Sequence, residues 1–271
     1  LRTTKTILVT GATDGIGLAT AELLHARGLD LLLHGRSEAK LERTRALLNG
    51  SPGRGRVTTY CADLSSLASA RGLVDKILRE EPQLDVLINN AGVFAMADPR
   101  TDEGLDARFA VNTLAPYVLA CGLAGRLGPQ GRIVNLSSAA QAPVSIDALT
   151  GRERLSDDQA YAQSKLALTM WTRALAARWG EDDPLLVAVN PGSLLASKMV
   201  RDAYGMQGKD IGIGADILTR AALSDEFASA SGQYFDNDRG RFADPHPDAL
   251  DPAKVAQMMD ALEGLVAKLS G

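Results

Sequence analysis

Runs of apolar residues alternate along this chain with stretches in which every third or fourth position is apolar. KTILVTG (5–11), LDLLLHG (29–35), RVTTYCADL (56–64), LDVLINNAG (84–92), GRIVNLSS (131–138), LLVAVNPG (185–192) and SGQYFD (231–236) read as strands. Between them IGLATAELLHARG (16–28) carries helical spacing and stops at Gly28, and SEAKLERTRALLN (37–49) opens on a serine N-cap. Further helices are predicted over 65–80, around 103–127 and from about Asp158 to Trp179. Strands that are apolar throughout are buried on both faces, so helices must cover both. The alternation predicts an α/β fold with a doubly wound, seven-stranded, mostly parallel sheet and right-handed crossovers. With no linker, repeat or low-complexity segment, one domain over 1–271 is expected, with irregular regions at 139–157 and 193–217.

Composition narrows the partners. The 271 residues carry a net charge of −4 with both signs dispersed, so no basic block offers a grip on nucleic acid or an anionic membrane. No apolar run approaches the roughly 20 residues that span a bilayer, so no membrane segment is expected. SPGRGR (51–56) reads as a solvated loop. Cys61 and Cys121 are isolated in apolar settings, which fits a reducing, cytoplasmic compartment. His25, His34 and His246 are scattered, and no metal site is expected. A hydrolase elbow, G-x-S-x-G, is absent from the sequence.

TGATDGIG (10–17) joins the first strand to the first helix. Glycines at 11, 15 and 17 allow a tight turn and close backbone approach to a pyrophosphate, which the helix N-terminus then favours. This makes Gly11, Thr13, Asp14, Gly15, Ile16 and Gly17 candidates for a dinucleotide, and the fold Rossmann-type. The spacing G-x-x-x-G-x-G resembles the short-chain dehydrogenase/reductase family, and further motifs extend the resemblance over nearly the whole chain. NNAG (89–92) matches a segment that stabilises the sheet and borders the cofactor through Asn90, Ala91 and Gly92. Asp63 and Leu64 match the pair that meets the adenine, and Pro191, Gly192 and Leu194 the turn beside the nicotinamide. Asn112, Ser138, Tyr161 and Lys165 match the family's catalytic tetrad.

The residues themselves can do this chemistry. Tyr161 and Lys165 are four apart in a helical pattern and share a face. A free phenol titrates near pH ~10, and a nearby ammonium lowers that value, tuning it to give or take a proton. The resemblance adds that Lys165 binds the nicotinamide ribose. A hydroxyl at the end of the fifth strand can bond the substrate oxygen; Ser137 and Ser138 both qualify by pattern, and the family alignment selects Ser138. Asn112, a poor helix former inside FAVNTLAPYVLA, in the family holds a water that links the lysine to solvent.

The second strand ends in LLLHGRS. Gly35 falls 18 residues after Gly17, where dinucleotide folds place an acid on the ribose 2′-hydroxyl. Here there is no carboxylate, Arg36 offers a cation for a 2′-phosphate, and Ser37 adds a hydroxyl or caps the next helix. The expectation is NADP(H), with NAD(H) as the alternative. Two departures from the family stand out. Ser138 and Tyr161 are separated by 22 residues, an insertion that resembles the retinol-dehydrogenase-like branch, as does SKLAL (164–168). Ala196 stands where the family has threonine, with Ser197 next, and 193–215 is a candidate substrate lid. The resemblance implies hydride transfer on a small carbonyl or alcohol, in a homodimer or homotetramer. Weighed beside it are a silent nucleotide-binding regulator, a ketoacyl-carrier reductase, and a sugar-nucleotide epimerase, which the glycine spacing disfavours.

Overall fold

The structure is a computed structural model describing residues 4–195 and 208–269. Strands β1 (Thr6–Val9), β2 (Asp30–Gly35), β3 (Val57–Cys61), β4 (Val86–Asn89), β5 (Arg132–Leu136), β6 (Leu185–Asn190), β7 (Tyr234–Asp236) and β8 (Arg241–Ala243) form one sheet in the order β3-β2-β1-β4-β5-β6-β7-β8. All neighbours are parallel except β7 and β8. The expected seven strands are thus eight. The extra one is a three-residue antiparallel edge strand, too short for a period to show.

Helices α1 (Gly15–Ala26), α2 (Glu38–Asn49) and α3 (Leu67–Glu80) follow the first three strands. Helix α4 (Ala107–Leu127) follows β4 and contains a π-helical turn, Ala110–Leu114. A short α5 (Ile146–Leu149) lies in the insertion, and α6 (Asp157–Arg178) precedes β6. Two helices outside the sequence expectation complete the fold: α7 (Gly212–Leu223) and α8 (Pro252–Lys268). Helix α8 begins with an Asp251 cap and Pro252, a recognised start signal.

Side-chain alternation along each strand divides the core in two. Ile7, Val9, Leu31, Leu33, Val86, Ile88, Val134 and Val187 pack beneath the side that holds Ala21, Leu24 and Leu218. Leu8, Leu32, Leu87, Ile133 and Leu186 face Leu73, Phe109, Leu123, Trp171 and Met259. Helix α8 packs on α6 and adds Met258, Met259 and Leu262 to this second core; its Glu263 accepts from Tyr117 of α4 and pairs with Arg178 of α6.

Helix α4 is long and apolar enough to cross a membrane by length and composition, with 83% of that window buried inside the protein. Its apolarity fits the centre of a helical layer. Cys61 and Cys121 are free thiols on exposed residues, and burial raises the Cys121 thiol pKa to about 11.

The parallel order reverses at β1 and β4, so the loops leaving the two strands diverge and open a crevice. The glycine turn, NNAG, Ser138 and Pro191–Gly192 all follow the C-terminal ends of adjacent strands along this one edge.

Candidate active site

Three positions of the turn after β1 admit only glycine. Gly11 and Gly15 have φ of 64° and 57°. A Cβ on Gly17 would lie 2.2 Å from the Gly11 carbonyl oxygen and 2.4 Å from Asn90 Nδ2. Asn90 clamps the turn by donating to the carbonyls of Thr10 (2.8 Å) and Gly11 (3.1 Å). The Thr10 hydroxyl accepts from the amides of Asn90 and Ala91, each at 3.0 Å. Asp14 caps α1 by accepting from Gly15 N at 2.7 Å, while the amides of Ile16 and Gly17 have no acceptor among the described residues. Free helix-start amides beside three glycines that let a ligand approach the backbone fit a pyrophosphate.

His34 braces this turn. Its Nδ1 accepts from Gly11 N at 3.3 Å, which makes Nε2 the donor to the Ala62 carbonyl at 3.1 Å. Burial lowers its pKa to about 4, so the ring is neutral. Gly35 next to it has a packing reason for its missing side chain: a Cβ would lie 2.9 Å from Thr13 Cγ2 and 3.3 Å from Leu41.

Arg36 is exposed and makes no side-chain hydrogen bond or ion pair among the described residues. Ser37 caps α2, accepting from Lys40 N at 3.4 Å. Asp63 is exposed, its Oδ1 bonded by the amide and hydroxyl of Ser65. The Leu64 side chain is only 4% exposed and belongs to the core, which leaves its backbone for a ligand.

Across the crevice, the π-turn of α4 carries Asn112 into a buried link. Asn112 Oδ1 accepts from Val93 N (2.9 Å), and Nδ2 donates to the Val93 carbonyl and to Ser164 Oγ, both at 3.0 Å. Ser164 in turn donates to the Tyr161 carbonyl at 2.7 Å. Lys165 is 3% exposed; its Nζ donates to the Leu136 carbonyl at 2.6 Å and lies 5.7 Å from the Tyr161 ring centroid. Burial lowers its pKa to about 7. A Cβ on Gly92 would sit 3.4 Å from Asn112 Oδ1 and 3.7 Å from Lys165 Nζ, so Gly92 keeps the space beside both open.

The two serines separate by burial. Ser137 is 2% exposed and bonds Thr169 Oγ1 at 2.7 Å inside the β5–α6 contact. Ser138 is half-buried, its Oγ accepting from Ala140 N at 3.1 Å, and its carbonyl accepts from the Tyr234 hydroxyl and from Gln141. Phe94, unmarked in the sequence, meets the Tyr161 ring edge-on at 5.0 Å.

After β6, Asn237 Nδ2 donates to the Pro191 carbonyl at 2.9 Å, and Gly192 has φ 116°. Leu194 holds φ 57°, rare for a branched side chain, with its carbonyl accepting from Lys209 N at 2.7 Å. Asp238, also unmarked in the sequence, accepts from the amide and hydroxyl of Ser193 and from Asn190 Nδ2. Leu195 packs with Ile16 around Gly214, where a Cβ would meet Leu195 at 2.7 Å, so this loop touches the glycine turn. Ala196, Ser197 and most of the candidate lid over 193–215 lie outside the described residues.

Residues 5–207 match the family model described as short chain dehydrogenase. Human retinol dehydrogenase 13 is 33% identical over 266 residues, covering 91% of this chain and 80% of the relative. A solved structure of an uncharacterized protein from Mycobacterium Paratuberculosis superposes with a TM-score of 0.79 at 27% identity, covering 97% of this chain and 93% of that one. A short chain dehydrogenase from Burkholderia cenocepacia, solved in complex with NADP, gives 0.68 at 28% identity over 86% of this chain and 95% of its own.

Proposed function

The chain belongs to the short-chain dehydrogenase family, whose members are NAD(P)-dependent oxidoreductases of alcohol and carbonyl groups, and from that premise we propose an NADP(H)-dependent carbonyl reductase with Tyr161 as its acid and base. The observation that carries this reading is the burial of the Lys165 ammonium 5.7 Å from the Tyr161 ring. A cation held there favours the phenolate over the phenol.

When bound, the nicotinamide supplies or takes the hydride. Tyr161 donates its phenolic proton to the substrate oxygen in reduction and takes it back in oxidation. Ser138 donates to the same oxygen as its charge grows. Lys165 keeps the phenol acidic and offers its remaining N–H donors to the ribose. Asn112 ties the Val93 backbone to the Tyr161 helix through Ser164.

The glycine turn with Thr13, Asp14 and Ile16, the edge of NNAG, Asp63 with the Leu64 backbone, and the Pro191–Gly192–Leu194 loop together hold the dinucleotide. Arg36 takes the 2′-phosphate, since its guanidinium is uncommitted and no carboxylate replaces Gly35. The Burkholderia relative solved with NADP supports this preference. The substrate is a small carbonyl or alcohol. A homodimer or homotetramer joined through α4 and α6 would have to accommodate α8, which already packs on α6.

A screen of aldehydes, ketones and quinones, retinaldehyde included, with NADPH and NADH in parallel tests the reading. Arg36→Ala is expected to lower the NADPH-to-NADH ratio of kcat/KM by about tenfold or more, the effect of one charge-assisted contact. An unchanged ratio removes Arg36 from the account. Cofactor binding without reduction of any substrate would favour a regulatory role.

A further inference from the structure

Trp171 apart, Arg108 is the largest fully buried side chain among the described residues, 1% exposed. Its guanidinium grips both oxygens of Asp106, from Nε at 2.8 Å and Nη2 at 2.6 Å. Nη1 bonds Asp157 Oδ1 and reaches the Phe94 carbonyl at 3.5 Å. One planar fork therefore joins the cap of α4, the first turn of α6 and the segment after β4.

Both contacts beyond Asp106 end one step from Tyr161. Asp157 lies four residues ahead of it, one turn up the same face of α6. Phe94 is the ring that meets Tyr161 edge-on. A buried ion pair adds little net stability over an apolar replacement, because desolvation offsets the attraction. Its directional bonds nonetheless fix geometry, and a guanidinium with several fixed donors does so better than an ammonium.

We infer that Arg108 is a positioning residue, which acts through Asp157 and Phe94 to hold the Tyr161 phenol in place over Lys165. The inference rests on the role proposed for Tyr161. Misplacing a reacting group by a fraction of an ångström is enough to slow catalysis while binding survives.

Asp157 is the gentler point of attack, its side chain 45% exposed. Purified Asp157→Asn, Asp157→Glu, Arg108→Lys and Tyr161→Phe would be compared with the wild type for kcat, NADPH affinity by fluorescence, thermal midpoint and the pH profile of alcohol oxidation. Asp157→Asn is expected to lower kcat about five- to twentyfold while NADPH affinity and melting stay near wild type. The rising limb of oxidation should move to higher pH, because the phenol loses part of its ammonium neighbour. Arg108→Lys should show the same split more strongly, and Asp157→Glu should recover most of the rate. Unchanged kcat and an unmoved limb in Asp157→Asn and Arg108→Lys, beside an inactive Tyr161→Phe, would overturn this inference alone. So would rate losses matched by equal losses of NADPH affinity and melting temperature. Full turnover in Tyr161→Phe would overturn the role of Tyr161 and this inference with it.

Discussion

The Lys165 ammonium donates to the Leu136 carbonyl oxygen at 2.6 Å, so the last residue of β5 anchors a cation 5.7 Å from the centre of the Tyr161 ring. A protonated amine in this buried position is costly to the fold, and burial brings its pKa down to about 7 from an ordinary 10.5. That penalty is present in full below about pH 7 and fades as pH rises from there toward the unfolded value. Lys165→Met should therefore lose turnover by about 100-fold or more yet melt higher than wild type at pH 6. The gain should shrink by pH 10. Thermal melts at the two pH values check this; a variant less stable at pH 6 contradicts it.

The same group sets a pH dependence. Under the proposed mechanism, reduction needs Lys165 charged and Tyr161 protonated, and both conditions fail as pH rises. With Lys165 near 7 in the free enzyme, kcat/KM for NADPH-driven reduction should be level below pH 7 and fall above it. His34, near 4 through burial, stays neutral over this range and cannot supply the limb. A profile flat from pH 6 to 9 would show that Lys165 titrates elsewhere or is not required.

Gly17→Ala tests the cradle. The added Cβ would sit 2.2 Å from a backbone oxygen that Asn90 also helps to hold, so neither neighbour can give way cheaply. The expected outcome is destabilisation by about 1–3 kcal/mol in urea unfolding and loss of NADPH binding. Wild-type affinity would mean that the turn does not hold the cofactor.

Much of this site was legible because backbone demands leave sharp traces. Only glycine fits at 11, 15 and 17, and a tyrosine and lysine on one helix face need only a four-residue spacing. The missing parts leave none. Asp238 reaches Ser193 and Asn190 across 45 and 48 residues, and no local pattern announces such a pairing. Gly35 illustrates a different difficulty. Its position suggests space left for a phosphate, yet Thr13 and Leu41 already occupy the volume a Cβ would need. Helix α8 follows the last strand and so lies outside the strand–helix alternation, although Asp251–Pro252 marks its start, whereas α7 falls between β6 and β7 and begins within a stretch that reads as irregular. Strand β8 is legible only through its partner β7, since its three residues carry no period.

Asp238 gives a prediction of its own. Partial burial pushes its pKa up, but bonds from Ser193 and Asn190 and the charge of Lys209 outweigh this and hold it below the usual carboxylate range. The ionised carboxylate holds Ser193, the residue after Gly192. Asp238→Ala should raise the KM for NADPH about tenfold, the equivalent of losing roughly 1.5 kcal/mol of charge-assisted bonding. An unchanged KM would mean that the loop holds its shape without this clasp.

The central claim, that Tyr161 moves the proton, is tested most directly by single-turnover oxidation of enzyme-bound NADPH by an accepted aldehyde, wild type against Tyr161→Phe. Tyr161→Phe is expected to bind NADPH as wild type does and to oxidise it at least about 100-fold more slowly. Equal rates in the two proteins would contradict it.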